Sequence, residues 1–186
     1  MKKIIVICMV LLAMSACKKE NNFTLLAEEE AAAIPYQMGQ TVKFLNQDND
    51  TVVFQVVGDW THPSDGYDYY HNYGGDSIYY GIPTDYCYAR TVDLACETYP
   101  FFISFTILPG KELYFNWHNE LVISCDLPSS YESVTVGGLN HEFVHREKLY
   151  NQYTGELLYD WYYCEEHGLL YFTNVDFSLT RIFDVF

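Results

Sequence analysis

The chain is 186 residues long and carries a formal charge of −15, from 25 acidic against 10 basic residues. That balance sets aside a nucleic-acid role built on phosphate neutralisation. With 49 % hydrophobic and 18 % aromatic residues it is too apolar to be disordered, and its 18 Tyr and 12 Phe favour strands.

Met1-Lys2-Lys3 gives a positive start, residues 4–14 are apolar, and the small residues Ser15 and Ala16 precede Cys17. A permanent membrane helix needs roughly 20 apolar residues, so this run reads as a signal peptide over residues 1–16. Met14-Ser15-Ala16-Cys17 resembles the lipobox of bacterial lipoproteins. The resemblance implies that Cys17 becomes the first mature residue, acylated on its sulfur by a chain such as palmitate. Each buried methylene would then contribute about 0.8 kcal/mol to anchoring. Removing residues 1–16 leaves eight bases against 25 acids, a net −17 that anionic headgroups repel. Position 18 is Lys rather than Asp, so the resemblance points to the outer membrane, with the leaflet open.

Residues 17–35 are expected to form a tether. Within it, residues 25–33 (LLAEEEAAA) are strong helix formers stopped by Ile34-Pro35, enough for a short helix. Residues 36–186 then read as a single β-rich domain. Residues 42–45 and 51–57 flank a polar loop, and Val52, Phe54 and Val56 alternate with Val53 and Gln55 as a strand does. Phe101, Ile103, Phe105 and Ile107 alternate up to Pro109-Gly110. Leu113, Phe115 and Trp117 follow, then Leu121, Ile123 and Cys125, and Val134 and Val136 lead into Gly137-Gly138. Residues 157–164 and 169–172 make a hairpin about Glu165-Glu166-His167-Gly168, and Val175, Phe177 and Leu179 begin a closing strand. Short strands at intervals of about ten residues predict an all-β fold, an antiparallel sandwich or barrel-like module.

Cys87, Cys96, Cys125 and Cys164 remain after the signal peptide and Cys17. Four cysteines allow three pairings, and an envelope location permits disulfides. The most local choice joins Cys87 to Cys96 and leaves Cys125 for Cys164. The absence of Cys-x-x-Cys spacing argues against a zinc site made from these four.

His141-Glu142-Phe143-Val144-His145 is a literal H-E-x-x-H. On a helix, His141 and His145 would share a face and could hold one Zn²⁺, with Glu142 as general base on the bound water. A third ligand is the difficulty: the positions a metzincin would fill are Lys148 and Asn151, and Glu165 and Glu166, at the distance a gluzincin would need, follow a strand-like run into a turn rather than a second helix. A strand-rich chain also does not suit a helical protease domain. Residues 59–76 (DWTHPSDGYDYYHNYGGD) form a long loop rich in Asp, Tyr and His, and loops of this kind often carry function. Trp60, Tyr67, Tyr69 and Tyr70 could stack on sugar rings, while Asp59, Asp65, Asp68 and Asp76 offer hard oxygens to Ca²⁺.

Gly137-Gly138 with Phe143, Trp161-Tyr162-Tyr163 and Gly168-Leu169-Leu170-Tyr171-Phe172 resemble the terminal hairpins of small uncharacterised outer-membrane lipoproteins of the Bacteroidetes type. That family has no established activity. The resemblance therefore implies a β-rich module facing periplasm or cell surface, with no catalytic residues and with residues 141–145 within or beside a strand. The leading expectation is a non-enzymatic, lipid-anchored envelope module that binds a glycan or a protein partner through residues 59–76. The alternatives are a zinc metallohydrolase at His141, Glu142 and His145, and a structural envelope lipoprotein with no ligand.

Overall fold

The structure, a computed structural model, describes residues 23–64, 87–98, 102–117, 120–127, 132–151, 153–174 and 176–183. The expected all-β antiparallel architecture is what it shows. Among the described residues one helix of four residues, α1 (Glu28–Ala31), precedes strands β1 (Thr41–Leu45), β2 (Thr51–Ser64), β3 (Cys87–Cys96), β4 (Phe102–Leu108), β5 (Glu112–Trp117) and β6 (Glu120–Asp126). Then come β7 (Glu132–Val136), β8 (Leu139–Tyr150), β9 (Leu157–Cys164), β10 (Gly168–Asn174) and β11 (Ser178–Arg181). The strand order is β6-β5-β4-β3-β2-β1-β11-β10-β9-β8-β7, with β7 held only by the first half of β8. Every neighbour is also a neighbour in sequence except β1 and β11, which close chain start on chain end. The result is an antiparallel meander that does not close between β6 and β7. Among the described residues no helix is long and apolar enough to cross a membrane.

The alternation seen in the sequence points one face of each strand inward, and the sheet curls until the inner faces of β4 and β5 meet those of β9 and β10. Phe115 stacks on Trp161 at 5.5 Å between ring centroids and meets Phe172 at 5.2 Å, while Phe105 lies 5.7 Å from Tyr163. Such aromatic pairs each contribute about 0.5–1.5 kcal/mol beyond the area they bury.

Residues 31–36 enter this interior. Ala33, Ile34 and Tyr36 are buried in the main core, so the tether expected over residues 17–35 ends earlier and its last residues belong to the domain. Buried backbone needs partners, and side chains supply them here. The Tyr163 hydroxyl donates to the Ala33 carbonyl at 2.7 Å, and the Leu169 N–H donates to the Tyr36 hydroxyl oxygen at 2.7 Å. Arg90 donates to the carbonyls of Ala31, Ile34 and Tyr36 at 2.6, 2.8 and 2.9 Å. The helix expected over residues 25–33 shrinks to α1, because the chain must leave helical geometry to insert. Glu30 holds α1 in place, accepting from the N–H groups of Ala27 and, across the fold, Gly110.

β-Bulges in β2, β8 and β10 decide which side chains face outward there. In β2 the register shifts between Val56 and Gly58. Val52, Phe54 and Val56 are core residues, but after the bulge Gly58, Trp60 and His62 pair with Asp93, Thr91 and Ala89. Those three alternate with the core residues Val92 and Leu94 and so lie on the outer face. In β8 Val134 pairs with His141 and Glu132 with Val144, so Glu142 and Phe143 together oppose Ser133. In β10 the register shifts between Leu169 and Tyr171.

Candidate functional site

Two places gather chemistry, one at each of the first two bulges. The β8 bulge holds the H-E-x-x-H segment, which is strand and not helix, so the helical geometry behind the zinc alternative is not realised. Phe143 sits at φ 56° and is 65 % exposed, whereas unbroken alternation had placed it beside His141 and His145. The bulge also sends the two imidazoles to different sides. His145 pairs with the core residue Tyr163 and packs edge-on to Trp161 at 5.8 Å. His141 instead packs on His167 at 5.2 Å and Phe183 at 4.8 Å, beside the second cluster of Val136, Val144, Cys164 and Leu170. Both imidazoles are buried, 4 % and 3 % exposed. Among the described residues no three His, Cys, Asp or Glu side chains are placed to share a metal ion.

His141 and Glu142 line a cavity of about 290 Å³ together with Asn140, Phe143, Cys164, Glu166 and His167. His141 Nε2 lies 3.3 Å from the Val136 carbonyl, so that nitrogen carries the hydrogen. Burial holds the His141 imidazole below its ordinary range, opposed by that backbone bond, and burial does the same to His145 against the pull of Glu147. Burial pushes the Cys164 thiol up, although the backbone N–H groups of His167, Glu166 and Gly168 favour its charged form. The cavity therefore presents a neutral imidazole and a protonated thiol, a poor nucleophile.

These shifts fix a pH response. An imidazole whose folded pKa lies below the unfolded value of about 6.5 takes up its proton more readily when unfolded. Its contribution is present at neutral pH and falls as pH drops through about 6.5. The unfolding temperature is therefore expected to fall between pH 7.5 and 5.5, with a shallower slope in His141→Gln/His145→Gln, measured by circular dichroism melts.

At the β2 bulge the structure revises the loop expected over residues 59–76. Residues 59–64 are the end of β2, whereas Asp65, Tyr67, Asp68, Tyr69, Tyr70 and Asp76 lie outside the described residues, as does Cys17. Asp59 already has a cation as its partner. Both its oxygens accept from Arg90, at 2.9 Å each, on the inner side. Trp60 is 44 % exposed on the outer face. Its indole lies over Gly58, where even a Cβ would collide with the ring. Beside it runs a polar row fixed by register. Gly58, Asp93, Ser104 and Asn116 are successive cross-strand partners, as are Trp60, Thr91, Thr106 and Tyr114. Thr91 Oγ1 lies 2.9 Å from both Thr106 Oγ1 and His62 Nε2, while His62 Nδ1 lies 3.1 Å from the Pro63 carbonyl. Nδ1 is therefore the donor to Pro63, Thr91 donates to Nε2, and Thr106 donates to Thr91. Burial raises the Asp93 carboxyl pKa, opposed by a hydrogen bond from Ser104. These two rows contain no Lys or Arg.

The expected local disulfide is corrected. Cys87 and Cys96 stand at the two ends of β3, about 30 Å apart at roughly 3.3 Å per residue. A disulfide needs Cα atoms within about 7 Å. Cys96 and Cys164 are buried free thiols, so the companion pairing of Cys125 with Cys164 is not formed either.

No family model, curated protein or solved structure matches the chain.

Proposed function

We propose that this chain is a lipid-anchored cell-envelope module, not an enzyme, that binds a neutral glycan on the outer face of β2–β5. The observation that carries the reading is Trp60. Its indole lies against Gly58, where a Cβ would collide with the ring, and the residue is nevertheless largely open to solvent. Aromatic faces suit the apolar faces of sugar rings, and Asp93, Ser104 and Thr106 in the adjoining rows carry donors and acceptors for hydroxyls. The net charge of −15 works against polyanionic glycans. The anchor rests on residues 1–17 and their resemblance to a lipobox. The hydrolase alternative loses support because the β8 bulge separates His141 from His145.

The test is affinity electrophoresis of protein beginning at Lys18 against a panel of neutral envelope and plant polysaccharides, with metal content measured on the same preparation. Trp60→Ala is expected to weaken binding about tenfold or more, a loss of roughly 1.4 kcal/mol, with the unfolding temperature unchanged. A panel without a binder, or retention equal in wild type and Trp60→Ala, overturns the glycan reading. About one zinc per chain, lost with a hydrolytic activity in His141→Ala, overturns the non-enzymatic one.

A further inference from the structure

Arg181 ends β11 opposite Phe44 of β1. Its guanidinium carbon lies 5.4 Å from the centre of the Phe44 ring and 5.7 Å from that of Phe183. Nε and Nη1 are shut away from solvent and meet no acceptor among the described residues. Arginine does not escape such a position by losing its proton. Two aromatic faces return only part of what a buried cation loses on leaving water.

Among the described residues, the groups that face it do not supply the missing charge. Tyr36, on the inserted segment, and Cys164, at the end of β9, are near enough to act on Arg181 electrostatically. Burial holds Tyr36 up at about 12 and pushes the Cys164 thiol up, so both are neutral at physiological pH. The flanking Phe44 and Phe183 are apolar. Glu142 and Glu166 line the same cavity as Cys164, and neither acts on Arg181 electrostatically among the described residues. Meanwhile the Tyr36 oxygen accepts from the Leu169 N–H, which leaves its own O–H to donate. A cation with two unmatched nitrogens thus sits near a hydroxyl that has a hydrogen to give and near the Cys164 thiol, which also lines the cavity.

We propose that Arg181, with the Tyr36 hydroxyl, is a receptor for one small carboxylate anion, entering from the side of the cavity that Cys164 lines. The overall charge of −15 does not forbid it. Exposed charges are largely screened beyond about 10 Å at 0.1 M salt, whereas the field of a buried cation is not. This site is on a different part of the sheet from Trp60, and neither proposal depends on the other.

The probe is sodium formate, titrated into wild type and Arg181→Met while the unfolding equilibrium is followed in urea. In wild type the unfolding constant is expected to fall saturably, about a hundredfold when formate reaches a hundred times its dissociation constant, and Arg181→Met to show no saturable component. Parallel curves for the two proteins assign the effect to the general action of the salt and overturn the proposal. Should Arg181→Met fail to fold, the Arg181 Nε–H resonance of wild type is followed by NMR instead. A saturable shift with formate supports the receptor, and a resonance that does not move overturns it.

Discussion

Replacing Arg90 by Ala is expected to destabilise the fold by about 3 kcal/mol or more, the largest loss from a single side chain outside the aromatic core. Three carbonyls of the inserted segment, those of Ala31, Ile34 and Tyr36, have the Arg90 guanidinium as their donor, and Asp59 has it as counter-charge. Leaving one buried acceptor unmatched costs about 1–3 kcal/mol, and removing one partner of a largely buried ion pair about 3–5. These terms overlap, so they do not sum. The guanidinium side chain is only 15 % exposed, so solvent cannot take over all its bonds. At about 2–4 °C per kcal/mol for a domain of this size, the unfolding temperature should drop by roughly 6–12 °C. Arg90→Lys should recover little, since one ammonium cannot reach three carbonyls and both oxygens of a carboxylate in the planar arrangement seen. Urea unfolding decides the matter. A loss below about 1 kcal/mol in Arg90→Ala would show that the inserted segment is held by Ile34 and Tyr36 alone.

Arg90 also marks where the sequence was opaque. The strand it belongs to, β3, was not anticipated, although Val92, Leu94 and Cys96 alternate. Its other face is also covered: Cys87, Ala89 and Thr91 are buried too, and a strand buried on both faces loses the two-residue rhythm. Arg90 and Asp93 then break the apolar run. Alternation did reveal β1, the start of β2 and β4, because each has one face in the core and one less buried.

The candidate sites were half legible for a more local reason. Trp60 and Asp59 could be singled out by residue type, but their separation into exposed platform and inward clamp depends on one extra residue at Val57. The same holds for His141 and His145, which a two-residue period puts together and the Glu142–Phe143 bulge drives apart. A bulge inverts everything downstream of it, and its sequence signal is faint. Gly58 hints at the first bulge, while at the second Phe143 takes a left-handed backbone that residue type argues against. Arg181 was passed over entirely. Nothing in a lone Arg before a closing Ile-Phe distinguishes a buried cation from a solvated one.

Gly168→Ala should be nearly as damaging as Arg90→Ala, at about 3 kcal/mol, and for two separable reasons. Gly168 has φ 76°, where an ordinary L residue loses roughly 1–2 kcal/mol. Beyond that, a Cβ there would run into the hydroxyl end of Tyr36, the group that receives the Leu169 N–H and lies near Arg181. Moving Tyr36 would disturb the core stack it forms with Phe105 at 5.4 Å, and interiors at native density tolerate such overpacking at about 1–3 kcal/mol. Asn separates the two effects, because it accepts the left-handed region but still brings a Cβ. If backbone strain dominates, Gly168→Asn should be markedly milder than Gly168→Ala. If the collision with Tyr36 dominates, the two should be equally unstable, and Tyr36→Phe in the Gly168→Ala background should restore part of the loss despite removing a hydrogen bond. The contacts favour the second outcome. It would mean that the turn carrying Glu166 and His167 is positioned by the inserted segment beneath it, and that substitutions at Tyr36 reshape the cavity over Cys164 without touching its lining.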